Sequence, residues 1–260
     1  MQHRPSSARQ VSRSFAAFLE FFLALGKMQS KSLKREFMFT RFLLLAALSL
    51  SGLASAHSVM DALKVIDRSK QENWHYRVTE NITMKDTNIS MTVAIFDPSK
   101  EKNQRWSLES THGRAPTEKE RLKYIDKQTN DTDDKFSEQI DEKSLQSLDS
   151  GANPKRWSFR MKSDADLGGF DPSKLTGSLT LNEQGDVTSI DLKNTDSFRM
   201  KMIVKVNHLN IHLEYAKQTN GENLITSQNI DTDISLMGKE INTKMSKKVD
   251  ILRYKTAAQN

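Results

Sequence analysis

The segment Phe198-Arg199-Met200-Lys201-Met202-Ile203-Val204-Lys205-Val206-Asn207-His208-Leu209-Asn210-Ile211-His212-Leu213-Glu214-Tyr215 decides how this chain folds. From Phe198 through Met200, Met202, Val204 and Val206 every second residue is apolar, the period of a strand with one dry face. Beyond Asn207 the apolar set moves one place, to Leu209, Ile211, Leu213 and Tyr215. That change of face needs an extra residue, so the pattern predicts a bulge or strong bend near Asn207. Bends of this kind curve an antiparallel sheet around its own core.

Working outward, the two-residue period recurs. Downstream, strands are expected over about Leu224–Met237 and Ile241–Tyr254, turning at Gly238-Lys239. Upstream, Trp157, Phe159 and Met161 share a face, and Leu175, Leu179 and Leu181 lead through Asn182–Asp186 to Ile190 and Leu192. Earlier still, Trp74, Tyr76, Val78, Ile82 and Met84 alternate up to a turn at Lys85–Asn88. Ile89, Met91, Val93 and Ile95 then form the apolar set of a second strand, and a third passes through Trp106 and Leu108. The spacing of Val59, Ala62, Leu63 and Ile66 predicts a helix over His57–Lys70, with Met60 and Val65 off its stripe. A second, mostly polar helix follows Pro116, with Thr117 and Glu120 placed as a capping box. Asn130–Asp134 reads as a solvated loop, lacking the spaced ligands of a calcium site. With no internal repeat, residues 57–260 read as one α+β domain, a strongly curved antiparallel β-sheet with covering helices.

The remaining residues concern delivery. Arg41, with Lys34 and Arg35, precedes the apolar run Phe42–Leu50 and the small residues Ala54-Ser55-Ala56, the layout of a signal peptide over 38–56 cleaved after Ala56. The run is short for a membrane span, which needs about 20 residues. Residues 1–37 read as an upstream extension of the true start, which lies at Met28 or Met38. The chain carries a formal charge of +6, but eight bases and two acids fall before His57, leaving 31 of each after it. A neutral mature domain has no net pull on phosphates, so nucleic acid is not an expected partner. The chain has no cysteine, which excludes disulfides, thiol chemistry, cysteine-ligated zinc and a lipid-modified N-terminal cysteine. The expected location is the periplasm.

Ala94-Ile95-Phe96-Asp97-Pro98-Ser99, Gln104-Arg105-Trp106-Ser107-Leu108, Gly113-Arg114-Ala115-Pro116-Thr117-Glu118-Lys119-Glu120 and Leu175-Thr176-Gly177-Ser178-Leu179-Thr180-Leu181-Asn182 together resemble a group of uncharacterised proteobacterial periplasmic proteins. Those proteins are similar to the LolA/LolB lipoprotein-carrier superfamily. The resemblance spans most of residues 57–255 and implies an incomplete β-barrel around helices, LolA-like, that shields acyl chains in transit between membranes. Lacking cysteine, the chain is similar to the soluble carrier rather than the lipid-anchored acceptor. The resemblance assigns no ligand-contacting residue.

Catalytic patterns are not found: there is no phosphate-binding glycine loop, Gly168-Gly169 lacking the flanking residues, and no Gly-x-Ser-x-Gly elbow. On a strand His208 and His212 stand about 13 Å apart, too far to share an ion, and His212 with Glu214 makes only two ligands. Neither an enzyme, a metal site nor a cofactor is expected. What stands out is the apolar set Trp74, Met84, Met91, Trp106, Trp157, Met161, Met200, Met202 and Met245. It is either an ordinary packed core or an adaptable lining for a greasy ligand, since thioethers repack around varied shapes. The first reading of function is thus a carrier for a lipid or lipoprotein acyl chain, touching membranes only transiently. The alternative is a non-enzymatic envelope scaffold, without a ligand cavity, that pairs with a protein partner.

Overall fold

The ends of the domain meet in the middle of its sheet. In a computed structural model of the chain, residues 50–66, 71–129, 136–150, 153, 155–165, 170–200 and 204–254 are described, without the side chains of 50–57. Residues 1–49, with most of the expected signal segment, lie outside this set, as do Met202, the Asn130–Asp134 loop and Gly168-Gly169.

The strands are β1 (Trp74–Met84), β2 (Thr87–Phe96), β3 (Trp106–Thr111), β4 (Ile140–Ser147), β5 (Arg156–Met161) and β6 (Leu175–Leu181). They continue with β7 (Val187–Asn194), β8 (Phe198–Met200), β9 (Val204–Lys217), β10 (Asn223–Leu236) and β11 (Lys239–Tyr254). All eleven join one sheet, ordered β3-β2-β1-β11-β10-β9-β7-β6-β5-β4, with β8 paired to β9. The pairings are antiparallel throughout. The sheet does not close: its edges β3 and β4 are neighbours in the chain but not in the hydrogen-bonded order.

Extra residues interrupt the ladder where the alternation shifts. Val206 pairs with Ile234 and His208 with Asp233, so Asn207 is the bulged residue that the periodicity predicts. The Asn194 side chain secures it, accepting from the Leu209 N–H at 2.7 Å and donating to the Asn207 carbonyl at 3.2 Å. Similar insertions fall at Ile89, Glu109, Thr188, Thr226 and Leu252. Each adds local twist.

Two α-helices are present among the described residues, α1 (Leu50–Val65) and α2 (Glu118–Thr129). α1 starts earlier than its apolar stripe predicts, because Leu and Ala before His57 favour helix, and its backbone runs through Ala56. It buries Val59, Met60 and Leu63, with Ile66 buried just beyond its end, so Met60 joins the stripe while Val65 stays exposed. The capping box on α2 forms as expected. Glu120 N–H donates to Thr117 Oγ1 at 3.3 Å, and Thr117 N–H donates to Glu120 Oε2 at 2.8 Å. Arg114 adds a two-pronged ion pair that holds the Glu120 carboxyl at about 2.

Two strand assignments differ from the sequence pattern. Phe198 to Val206 is not one strand: Met200 pairs back on Val204, making β8 and β9 a hairpin. The two-residue period reads alike on both arms of so tight a reversal. The edge strand β4 carries no clear alternation, since Ile140 is its only fully buried residue and its pairing with β5 is broken between Asp141 and Gln146.

The β1–β2 turn yields a stability prediction. Lys85 and Asp86 both have positive φ, 49° and 61°, in a two-residue loop between Met84 and Thr87, which pair directly. This turn geometry favours Asn-Gly, and left-handed backbone costs other residues about 1 kcal/mol. The double variant Lys85→Asn/Asp86→Gly is expected to raise the urea midpoint by an amount worth about 1 kcal/mol.

Candidate functional site

Side-chain alternation sorts the sheet into a largely apolar face and a polar one. On the apolar face, α1 covers a cluster built mainly from β4–β9, including Trp157, Phe159, Leu179, Ile190 and Leu209. A second, aromatic cluster joins Trp74, Tyr76, Val78, Phe96, Leu224 and Val249. Trp106 leans on it, 5.0 Å from the Phe96 ring, and Tyr124 of α2 meets Trp106 edge-on at 6.0 Å. Burial pushes the Tyr124 hydroxyl far above the ordinary phenol range, and Glu80 adds to the shift.

Between the clusters the face is only partly covered. Ile82, Met245, Ile230 and Ile211 follow one another across β1, β11, β10 and β9, and all but Ile82 keep some exposure. The adjacent row on the same face is polar over the same strands, with Glu80, Lys247 and Gln228 in register before Leu213. An apolar strip therefore runs beside a polar one.

The residues singled out from the sequence divide among these regions. Trp157, Met161 and Met200 are at most 5% exposed, inside the cluster beneath α1. Trp74 and Trp106 belong to the aromatic cluster, and Trp74 Nε1 donates to Glu222 at 2.6 Å. Met245 lies in the partly covered strip, and Met84 is half-buried at the end of β1. They do not surround a single cavity. Met91 lies on the other face altogether. It pairs with Asn81, while the residues of β2 that turn toward the core are Ala94 and Phe96. The two-residue turn and the inserted Ile89 set this register and override the more hydrophobic half of the alternation.

On the polar face His212 Nδ1 lies 2.7 Å from Asp191 Oδ1, and Nε2 lies 3.5 Å from Glu214. His208 is exposed and pairs with Asp233. The hydrogen bond that the protonated His212 donates to the Asp191 carboxylate raises the His212 pKa above its ordinary value, against partial desolvation. A raised folded-state value means that the pair stabilises the fold fully below the unfolded pKa of about 6.5 and loses this as pH rises through the folded value. Both side chains are about a third exposed or more, so solvent screening limits the gain to about 0.5 kcal/mol. Urea melts across this window should show a shallow fall in stability with rising pH, and Asp191→Asn should flatten it.

The chain matches no known protein family, no curated protein and no solved structure. Among those described, no helix is long and apolar enough to cross a membrane, and no group of three or more His, Asp or Glu is placed to hold a metal ion. The polar face also carries two grooves that the sequence pattern did not single out. Their one legible signal was asparagine and aspartate at strand positions, where both residue types are depleted.

Proposed function

We propose that this chain is a periplasmic carrier for a hydrophobic ligand, a lipid or the acyl chain of a lipoprotein, with the sheet curved as an incomplete, LolA-like barrel around the ligand. The observation that carries this reading is the partly covered strip Met245–Ile230–Ile211 on the apolar face of an unclosed sheet. Acyl chains on that strip would extend the two buried clusters into one, gaining about 0.8 kcal/mol per buried methylene. The neighbouring Glu80, Lys247 and Gln228 would receive a polar headgroup. Movement of α1 away from the sheet would release the ligand.

A second reading is a non-enzymatic envelope scaffold, and the burial of Trp157, Met161 and Met200 favours it, since these residues already fill their space. Its partner would pair with an open edge, β3 or β4.

Native mass spectrometry of protein purified from the periplasm separates the two. The carrier predicts a bound amphiphile that is lost when Ile230→Asp interrupts the strip. Ligand-free protein that cross-links to an envelope partner would support the scaffold and reject the carrier.

A further inference from the structure

The polar row beside the apolar strip breaks the alternation of its own strands. On the core face of β1, Glu80 stands between Val78 and Ile82, and on that of β11, Lys247 stands between Met245 and Val249. Inward-pointing charge commonly keeps an edge strand from pairing with another chain. That reason is missing here, since β1 and β11 are interior strands with a neighbour on each side. Local rules broken without structural gain point to function.

Glu80 and Lys247 are directly opposed, and the row continues to Thr92 of β2 on one side and Gln228 of β10 on the other. All four keep partial exposure, so a ligand lying on the strip meets them. Opposite charges facing each other across a ladder gain by pairing. Glu80 nevertheless forms no ion pair with Lys247 or with any other described cation. An ionised carboxylate only accepts hydrogen bonds, and with apolar neighbours on both sides along its strand it gains most from a charged donor.

The two helices frame this row. α2 packs on β3, where Tyr124 meets Trp106, and the Glu80 charge reaches Tyr124, so α2 borders the acidic end of the row. α1 covers the cluster at the far end, beyond Leu213. The open span between them therefore carries an acid with a hydroxyl beside it, then a base with an amide beside it.

We propose that the ligand is a phospholipid with a primary ammonium headgroup, of the phosphatidylethanolamine kind, an inference that rests on the carrier reading. The ammonium donates to the Glu80 carboxylate and the Thr92 hydroxyl, and the phosphate lies toward Lys247 and the Gln228 amide. Neighbouring strands stand about 4.8 Å apart, a step that the two-carbon bridge between phosphate and ammonium spans. A choline headgroup has no N–H to donate. A fatty acid or phosphatidylglycerol sets a second anion against Glu80.

The test is native mass spectrometry of the protein offered equimolar dioleoyl phosphatidylethanolamine, phosphatidylcholine and phosphatidylglycerol. The ethanolamine lipid should exceed each of the others by about tenfold. Glu80→Gln should bring the three to within about twofold of one another, and Glu80→Lys should move the preference to phosphatidylglycerol. Circular dichroism checks that both variants fold, and Glu80→Gln alone decides if the new lysine, facing Lys247, weakens the sheet. Equal uptake of the three lipids by the wild type overturns the headgroup assignment while the carrier reading stands, and so does a preference that survives Glu80→Gln. Binding of none of them overturns it together with the lipid form of the carrier reading.

Discussion

Gly177→Ala is expected to be the most damaging small substitution in the sheet, lowering stability by about 3 kcal/mol. Gly177 of β6 stands opposite Phe159 of β5, and the Phe159 ring lies across the glycine. A Cβ at position 177 would sit 2.0 Å from one ring carbon and 2.1 Å from another. The ring has nowhere to go, being 1% exposed and packed edge-on against Phe136 at 6.0 Å. The requirement is for space rather than for an unusual backbone angle. Equilibrium urea denaturation measures the loss. Phe159→Leu in the same chain should recover part of it, with a favourable coupling of about 1 kcal/mol in the double-mutant cycle. Simple additivity would show that the ring is not what excludes the methyl group.

Leu63→Ala should cost about 2–4 kcal/mol and also loosen the cover over the apolar face. Leu63 is 1% exposed at the centre of the α1 stripe, between Val59, Met60 and Ile66. Truncation leaves a cavity where α1 meets the sheet. Because α1 is joined to the rest by packing rather than by the hydrogen-bonded ladder, the weakened variant should expose apolar surface before the sheet melts. An environment-sensitive dye such as ANS should bind it more strongly than the wild type at urea concentrations below the main transition. Unchanged dye binding together with a normal urea midpoint would show that α1 does not seal this face.

Much of the architecture was legible because local chemistry enforces it. The Asn207 bulge followed from a one-place shift in alternation, and the α2 cap from Thr117 and Glu120. Four features were not legible in this way. The face assigned to Met91 was reversed, because register is set by turn length and by the inserted Ile89, neither of which changes the hydrophobic pattern. β8 was merged with β9 because a tight hairpin preserves the two-residue period. β4 was missed because an edge strand buries little and so needs no alternation. The polar grooves form where side chains from four strands converge, and spacing along one strand carries no trace of that.

Most strands, the α2 cap and the Asn207 bulge are written into the local sequence, because they depend on contacts a few residues apart. The pairing of β1 with β11, the open edges β3 and β4, and the division of the tryptophans between two clusters, with Met84, Met91 and Met245 in neither, arise only when the whole sheet assembles. Those outcomes depend on pairings between residues more than a hundred positions apart, as with Trp74 and Tyr254. Backbone hydrogen bonds are chemically alike at every strand, so the choice of partner comes from the packing of the whole sheet.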